Sequence, residues 1–322
     1  MDNRPEKLRV LFIDSTHPLL PEKLKGAGLE CDYRPEMSLS LVEKIIHQYD
    51  GIIIRSKFPL DRELLSKAKK LKFIGRVGSG MENIDQDFAR SKNIVCFNSP
   101  EGHRDATAEH AVGMLLSLLN NICKANSEVK SGQWFREVNR GVEIMGKTIG
   151  LIGYGNTGQS LARCLSGFNA RIIAYDKYKF NYSDRYVTES VMNDIFDETD
   201  ILSLNIPLTE ETRHLVNDEF LSRFKKDIHI VNISRGKIIN TQDLVRNLKS
   251  GKVRGAALDV LEYEKSSFEE LHRNHIPDDY LFLLEHPRVI LTPHIAGWTH
   301  ESNKRLAMVM AEKIIQSFGQ II

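Results

Sequence analysis

The sequence predicts an α/β protein built from two doubly wound, parallel-sheet domains, one inserted into the other. Three observations carry this. Short apolar runs alternate with amphipathic stretches along most of the 322 residues, the rhythm that joins parallel strands through helices. A glycine-rich turn at Gly153, Gly155 and Gly158 stands mid-chain, after a complete α/β series. The last amphipathic stretch, His300 to Phe318, has no strand after it and needs a preformed surface to bury its apolar stripe. The expected division is 1–99 with 298–322 for one domain and 100–297 for the inserted one.

The elements follow in order. Leu8 to Ile13, Gly51 to Arg55, Phe73 to Val77 and Ile94 to Phe97 read as strands. Pro21 to Ala27, Leu39 to His47 and Asp61 to Lys69 read as the helices between them, because apolar residues recur at helical rather than alternating spacing. A long helix is expected from Ala106 to Asn121. The second series opens near Thr148, and its later strands are Ile201 to Ile206, Ile228 to Ile233, Gly255 to Val260 and Val289 to Leu291. The chain would cross between domains near Pro100 and near Gly297. Two crossings make a hinge, and a cleft between the lobes is the expected active site.

Composition narrows the function. Apolar residues at 41%, charged residues at 27% and a net charge of +1 fit an ordinary globular enzyme and give no electrostatic footprint for nucleic acid or an anionic membrane. Cys31, Cys96, Cys123 and Cys164 form no C-x-x-C pair and read as buried free thiols in a reducing compartment. The apolar run in LRVLFID is too short for a membrane span or a signal segment, so a cytoplasmic protein is expected.

Residues 148–176, TIGLIGYGNTGQSLARCLSGFNARIIAYD, form a complete dinucleotide-binding unit of the Rossmann type. The run Ile149 to Ile152 leads into G-x-G-x-x-G, Thr157 to Ser166 has helical spacing, and Arg171 to Tyr175 is a second strand ending at Asp176. Gly153 allows the tight turn, Gly155 the approach of a pyrophosphate, and Gly158 close packing of helix on strand. The helix N-terminus offers free N–H groups to phosphate. Asp176, close to the expected offset of roughly 20 residues, can accept from both ribose hydroxyls and repel a 2′-phosphate. That favours NAD over NADP, although Lys177 beside it works in the other direction.

Three further segments stand at predicted strand ends: VNISRGKIIN with Arg235, ALDVLEYEK with Asp259 and Glu264, and LTPHIAGWT with His294. Ligands of open α/β sheets bind there. Hydride exchange with a 2-hydroxy or 2-oxo acid needs a cation for the carboxylate and carbonyl, a role suited to the planar fork of Arg235. It needs an acid/base near neutrality, for which His294 is the suitable type. It also needs a carboxylate such as Glu264 to orient the imidazole. Bland readings stand beside these: Arg235 capping a turn before Gly236, a satisfied core His294, and Glu264 on a solvated loop.

The chain resembles the D-isomer-specific 2-hydroxyacid dehydrogenase family, phosphoglycerate dehydrogenases most of all. The segments that carry this are GRVGSGMENID (75–85), NSPEGHRDATAEH (98–110), SGQW (131–134), GKTIGLIGYGNTG (146–158), PLTEET (207–212), NISRG (232–236), ALDVLEYE (257–264) and TPHIAG (292–297). The resemblance implies that Arg235, Glu264 and His294 are the catalytic trio. It implies that Asn156 and Thr157 touch the pyrophosphate, Ile206 and Pro207 line the adenine and ribose side, and Ile233, Ser234 and Asp259 sit by the nicotinamide, with Asp259 on its carboxamide. It makes Val77, Gly78 and Ser79 the loop whose N–H groups hold the substrate carboxylate.

Substrate identity rests on cations. By the resemblance Arg55 helps to bind a substrate phosphate and Arg136, after Trp134, matches a basic position that reaches across a dimer interface. The implied reaction is NAD-dependent oxidation of 3-phosphoglycerate to 3-phosphohydroxypyruvate, a step of serine biosynthesis. Solvated surface charge is the bland reading of Arg55, Lys57 and Arg136. Alternatives are a glyoxylate or hydroxypyruvate reductase and, in another class, an NAD(H)-sensing corepressor-like binding protein. Formate oxidation is disfavoured, because that branch carries glutamine where Glu264 stands. A homodimer is implied, with 106–140 as its interface. Departures from the family are Lys265 in place of proline, His103 in place of asparagine, Trp298 in place of a small residue, and a long 265–280 loop. That loop holds His272 and His275 as H-x-x-H, read as a loop with no metal. No regulatory domain is expected after Phe318.

Overall fold

The structure is a computed structural model that describes residues 7–264 and 277–319; Lys265, His272 and His275 lie outside the described residues. The chain opens β1 (Arg9–Phe12), α1 (Leu19–Gly26), β2 (Glu30–Tyr33), α2 (Leu39–Ile45), β3 (Gly51–Ile54), α3 (Arg62–Lys67), β4 (Phe73–Arg76), α4 (Gln86–Ser91), β5 (Val95–Asn98). Then follow α5 (Arg104–Leu119), α6 (Ile122–Lys130), β6 (Thr148–Ile152), α7 (Asn156–Leu165), β7 (Arg171–Tyr175), β8 (Thr188–Glu189), α8 (Met192–Glu198) and β9 (Ile201–Leu204). The remainder is α9 (Asp218–Ser222), β10 (Ile228–Asn232), α10 (Thr241–Ser250), β11 (Val253–Leu258), α11 (Asp278–Glu285), β12 (Val289–Leu291) and α12 (His300–Phe318).

Two compact units result. Among the described residues one comprises 7–103 and 298–319, the other 104–264 and 277–297. The first unit holds a parallel five-stranded sheet in the order β2-β1-β3-β4-β5. Alternation along its strands sends side chains to opposite faces. Leu11, Ile52, Ile54 and Ile74 bury against Val42 of α2 and Leu64 and Leu65 of α3. Val10, Phe12, Ile53 and Phe73 bury against α1 and against Leu306, Met310 and Ile314 of α12. The last helix therefore finds its preformed surface on the first sheet, and Thr299 caps it by accepting from the Ser302 N–H at 3.0 Å.

The second unit holds a parallel seven-stranded sheet in the order β12-β11-β10-β9-β6-β7-β8. The order reverses at β6, so the crevice between β6 and β9 is the topological switch point where such sheets bind ligands. Leu151, Ala174 and Val231 face α5 and α7, while Ile152, Leu202, Leu204 and Ile230 face α8, α9 and α10. α5 thus packs one face into this unit's core and leaves Glu109 and Gly113 exposed. Of the cysteines, Cys31, Cys96 and Cys164 are half-buried, and burial pushes the Cys31 thiol up to about 11. Cys123 departs from the expectation and is exposed, because α6 buries none of its residues. Among the described residues, no helix is long and apolar enough to cross a membrane, and no group of His, Cys, Asp or Glu is placed to hold a metal.

Candidate active site

The glycine-rich turn follows β6. Gly153 sits at φ +92°, and a Cβ there would lie 2.5 Å from the Asn205 carbonyl oxygen, so only glycine fits beneath the β9 loop. Ile206 packs on the same turn. Around Gly155 a Cβ would meet nothing within 4 Å, which leaves the approach open. α7 begins at Asn156 with Gly155 as its N-cap and no side-chain cap. Its first N–H groups, including those of Asn156, Thr157 and Gly158, therefore form an uncapped positive terminus suited to a pyrophosphate. Asp176, just past β7, accepts from the Tyr154 N–H at 2.8 Å and the Tyr178 N–H at 3.0 Å. Its carboxylate is thus fixed beside the glycine turn, and Lys177 is paired with Glu211. These residues fit the adenosine and diphosphate parts of a dinucleotide. Pro207 continues the β9 loop, its carbonyl accepting from the Thr212 hydroxyl at 2.7 Å.

The same unit brings Arg235, Glu264 and His294 to the carboxyl ends of β10, β11 and β12. Asn232, fully buried, accepts from the Ser234 N–H at 3.1 Å and donates to the Arg235 carbonyl at 3.0 Å, which shapes the turn after Ile233. Ser234 donates its hydroxyl to the Leu204 carbonyl, tying the turn to β9. A Cβ on Gly236 would lie 2.0 Å from the carbonyl carbon and oxygen of Leu261. That close approach sets the Arg235 turn against the segment that carries Glu264.

His294 Nδ1 lies 2.7 Å from Glu264 Oε2. A carboxylate only accepts, so Nδ1 carries the proton and Nε2 is the nitrogen for exchange with substrate. Glu264 is itself held, its Oε1 accepting from the Leu261 N–H. The imidazole has 23% side-chain exposure and the carboxylate 12%, so the pair is screened from bulk water yet reachable.

Asp259, expected by the resemblance on the nicotinamide carboxamide, directly follows β11. It is 1% exposed, and both oxygens serve the His294 loop. Oδ1 accepts from the Thr292 hydroxyl at 2.6 Å and the Ile295 N–H at 2.9 Å, and Oδ2 from the Ala296 N–H at 2.8 Å. The Asp259 carbonyl accepts from the His294 N–H at 2.8 Å. These bonds hold His294 at φ +55°, a left-handed conformation that a non-glycine residue adopts only under constraint. Asp259 thus positions the His294 loop, and His110 joins it through Thr292, the His110 Nε2 lying 3.1 Å from the Thr292 hydroxyl.

In the first unit the loop after β4 corrects the expected carboxylate donors. The Val77 N–H donates to the Ile54 carbonyl at 2.8 Å and the Gly78 N–H to Ser99 Oγ at 3.1 Å. Both donors are therefore spent within the fold. Among the described residues the N–H groups of Ser79 and of Gly80, a residue the sequence alone does not single out, carry no hydrogen bond. His103 Nε2 lies 3.1 Å from Ser79 Oγ, and Asn98 donates to the Ser79 carbonyl at 2.8 Å, so this loop is held from below. Arg55 follows β3, which is hydrogen-bonded beside β4 in the sheet. Arg136 belongs to the other unit and is exposed among Trp134, Phe135 and Val138.

Comparison with known proteins then decides the family. The model of the D-isomer specific 2-hydroxyacid dehydrogenase NAD binding domain matches residues 112–296. The chain belongs to the D-isomer-specific 2-hydroxyacid dehydrogenases. Its second unit contains this family's NAD-binding domain. The chain is 37% identical to a hydroxypyruvate reductase of Thermotoga maritima, covering 86% of this chain and 87% of that protein. It is 36% identical to a D-3-phosphoglycerate dehydrogenase of Methanocaldococcus jannaschii, over 95% of this chain but only 57% of that protein's length. Among solved structures, a glyoxylate reductase from Paecilomyes thermophila superposes with a TM-score of 0.85 at 26% identity, covering 98% of this chain and 97% of that one. The names of these dehydrogenase relatives differ in substrate.

Proposed function

We propose that this dehydrogenase exchanges a hydride between NAD and C2 of a D-2-hydroxy acid, with 3-phosphoglycerate and 3-phosphohydroxypyruvate as its pair. That pair would place it in serine biosynthesis, as a cytoplasmic homodimer. The observation that carries the chemistry is the 2.7 Å contact between His294 Nδ1 and Glu264 Oε2. Asn156, Thr157 and Gly158 hold the diphosphate, and Asp176 the adenosine ribose. When bound, NADH supplies the hydride to the carbonyl carbon. Arg235 holds the substrate carboxylate and polarises the carbonyl. His294 Nε2 gives its proton to the carbonyl oxygen as the alkoxide forms, and Glu264 stabilises the imidazolium that precedes the transfer. The Ser79 and Gly80 N–H groups add donors for the carboxylate, and Arg55 and Arg136 take the phosphate.

A second reading, reduction of hydroxypyruvate or glyoxylate, is favoured by the 37% identity to a hydroxypyruvate reductase. The deciding experiment is a steady-state panel with NADH against 3-phosphohydroxypyruvate, hydroxypyruvate, glyoxylate and pyruvate. The highest kcat/KM is expected on the phosphorylated acid. No turnover of any member would sink the assignment, and a clear preference for hydroxypyruvate would select the second reading.

A further inference from the structure

The end of β7 carries a conflict of charge. The Asp176 carboxylate repels a 2′-phosphate, yet Lys177 and Lys179 follow it closely, and an ammonium attracts one. The side chains show where both cations go, and every residue concerned belongs to the second unit. Lys179 donates to the Tyr154 carbonyl of the glycine turn at 2.8 Å. Lys177 is hydrogen-bonded and ion-paired to Glu211, in the segment after β9. The Glu211 hydrogen bond holds the Lys177 ammonium above its ordinary pKa.

The fold presents Glu211 for this pairing. The sheet order β9-β6-β7 puts β9 and β7 on either side of β6. An ion pair between the segments after those two strands therefore spans the carboxyl end of β6, where the glycine turn begins. The turn that carries Glu211 is itself hydrogen-bonded. The Thr209 N–H donates to the Thr212 hydroxyl at 2.8 Å, and that hydroxyl donates to the Pro207 carbonyl at 2.7 Å. Glu210 beside it pairs with Arg213 at 3.6 Å, so Glu211 is the acid of this turn that reaches Lys177. The Lys177 and Glu211 side chains are 51% and 56% exposed. A pair that open to water is weak, so it biases a choice between ligands and does not enforce it.

We propose that Glu211 is a cofactor-specificity residue: it engages the Lys177 ammonium, so that the cation beside Asp176 is not offered to a 2′-phosphate and NAD is preferred over NADP. The proposal rests on the reading that Asp176 holds the adenosine ribose. The test is a double-mutant cycle read as binding, with NADPH and NADH titrated by fluorescence in the absence of any 2-oxo acid. Glu211→Gln lowers the ratio of the NADPH Kd to the NADH Kd roughly 3- to 10-fold by tightening NADPH, with NADH affinity unchanged. Lys177→Ala alone leaves the ratio where the wild type has it, because the lysine is already engaged. Lys177→Ala added to Glu211→Gln cancels the gain. Should wild-type binding of NADPH fall below detection, the same cycle in an Asp176→Ala background reads the same ratio.

The inference is overturned if Glu211→Gln leaves the ratio unchanged. It is overturned equally if the gain survives Lys177→Ala, since Glu211 would then act by its own charge alone. A loss of NADPH affinity in Lys177→Ala as large in the wild type as in Glu211→Gln also overturns it, since the lysine would not be withheld. If Asp176→Ala leaves the ratio unchanged, the ribose placement falls and this inference with it. A ratio that responds to Asp176→Ala but not to Glu211→Gln leaves that placement standing and removes only the role of Glu211.

Discussion

His294 combines an imidazole aligned by Glu264 with a backbone held at φ +55°. The two features separate in mutants. His294→Ala should lower kcat by about 100-fold or more while NADH affinity holds, measured by steady-state kinetics and nucleotide titration. His294→Gly should be as inactive but melt higher, because glycine relieves a left-handed strain of about 1 kcal/mol. Equal melting of the two variants would deny that strain. Asp176→Ala should raise the ratio of NADPH to NADH kcat/KM roughly tenfold or more by removing like-charge repulsion, and an unchanged ratio would deny Asp176 the ribose role. The placement of Arg235, Glu264 and His294 after strand ends was legible in the sequence, because each sits in a short motif that follows an apolar run. The fates of Val77, Gly78 and Asp259 were not. Their hydrogen bonds go to Ile54, Ser99 and the 292–296 loop, partners that only the tertiary register supplies.

The strand elements carry their own pH signature. On β10, burial and then the charges of Arg254, Arg288 and Lys147 lower His229 from 6.5 to about 4. The folded state thus refuses a proton that the unfolded chain accepts below its ordinary pKa. Stability from this residue is complete above pH 6.5 and falls as pH drops toward about 4, by at most about 1.4 kcal/mol per unit. Thermal melts of the wild type should decline across that window, and His229→Gln should flatten its upper part; parallel curves would exclude the residue. A second element-level case is Gly236→Ala. Its Cβ would meet the Leu261 backbone at 2.0 Å, where no side chain can swing aside. It should cost roughly 3 kcal/mol and separate the Arg235 turn from the Glu264 segment, read as a lower melting temperature with a fall in kcat. Strands with continuous apolar runs, such as GIII of β3, were readable. β2, with the sequence ECDY and no buried residue, was not. It is an edge strand held by its ladder to β1, a feature that periodicity cannot report.

At the scale of the whole molecule, the second unit exposes Ile122, Val129, Trp134, Phe135, Val138 and Met145, with Trp134 at 77% and Val138 at 69%. Within the 106–140 expected as interface, α5 buries Ala108, Ala111, Met114 and Leu115 in this unit's own core and leaves Glu109 and Gly113 exposed. α6 and the segment after it remain as the apolar surface. A two-fold pairing of this surface with itself would need about 800 Å² from each copy. Light scattering at micromolar concentration should therefore give twice the chain mass. Val138→Asp should give the chain mass, since a buried carboxylate is costly to desolvate, with the monomer's melting changed by at most about 0.5 kcal/mol equivalent because the site is exposed within one chain. Arg136 lies in this same segment, so assembly and substrate use should be linked. Arg136→Ala should keep the dimer yet bind the phosphorylated 2-oxo acid more weakly, read as a raised KM, and spare glyoxylate. Val138→Asp should weaken the same substrate through loss of the partner. A fully active Val138→Asp monomer with unchanged preference would show that Arg136 takes no part in phosphate recognition across the interface.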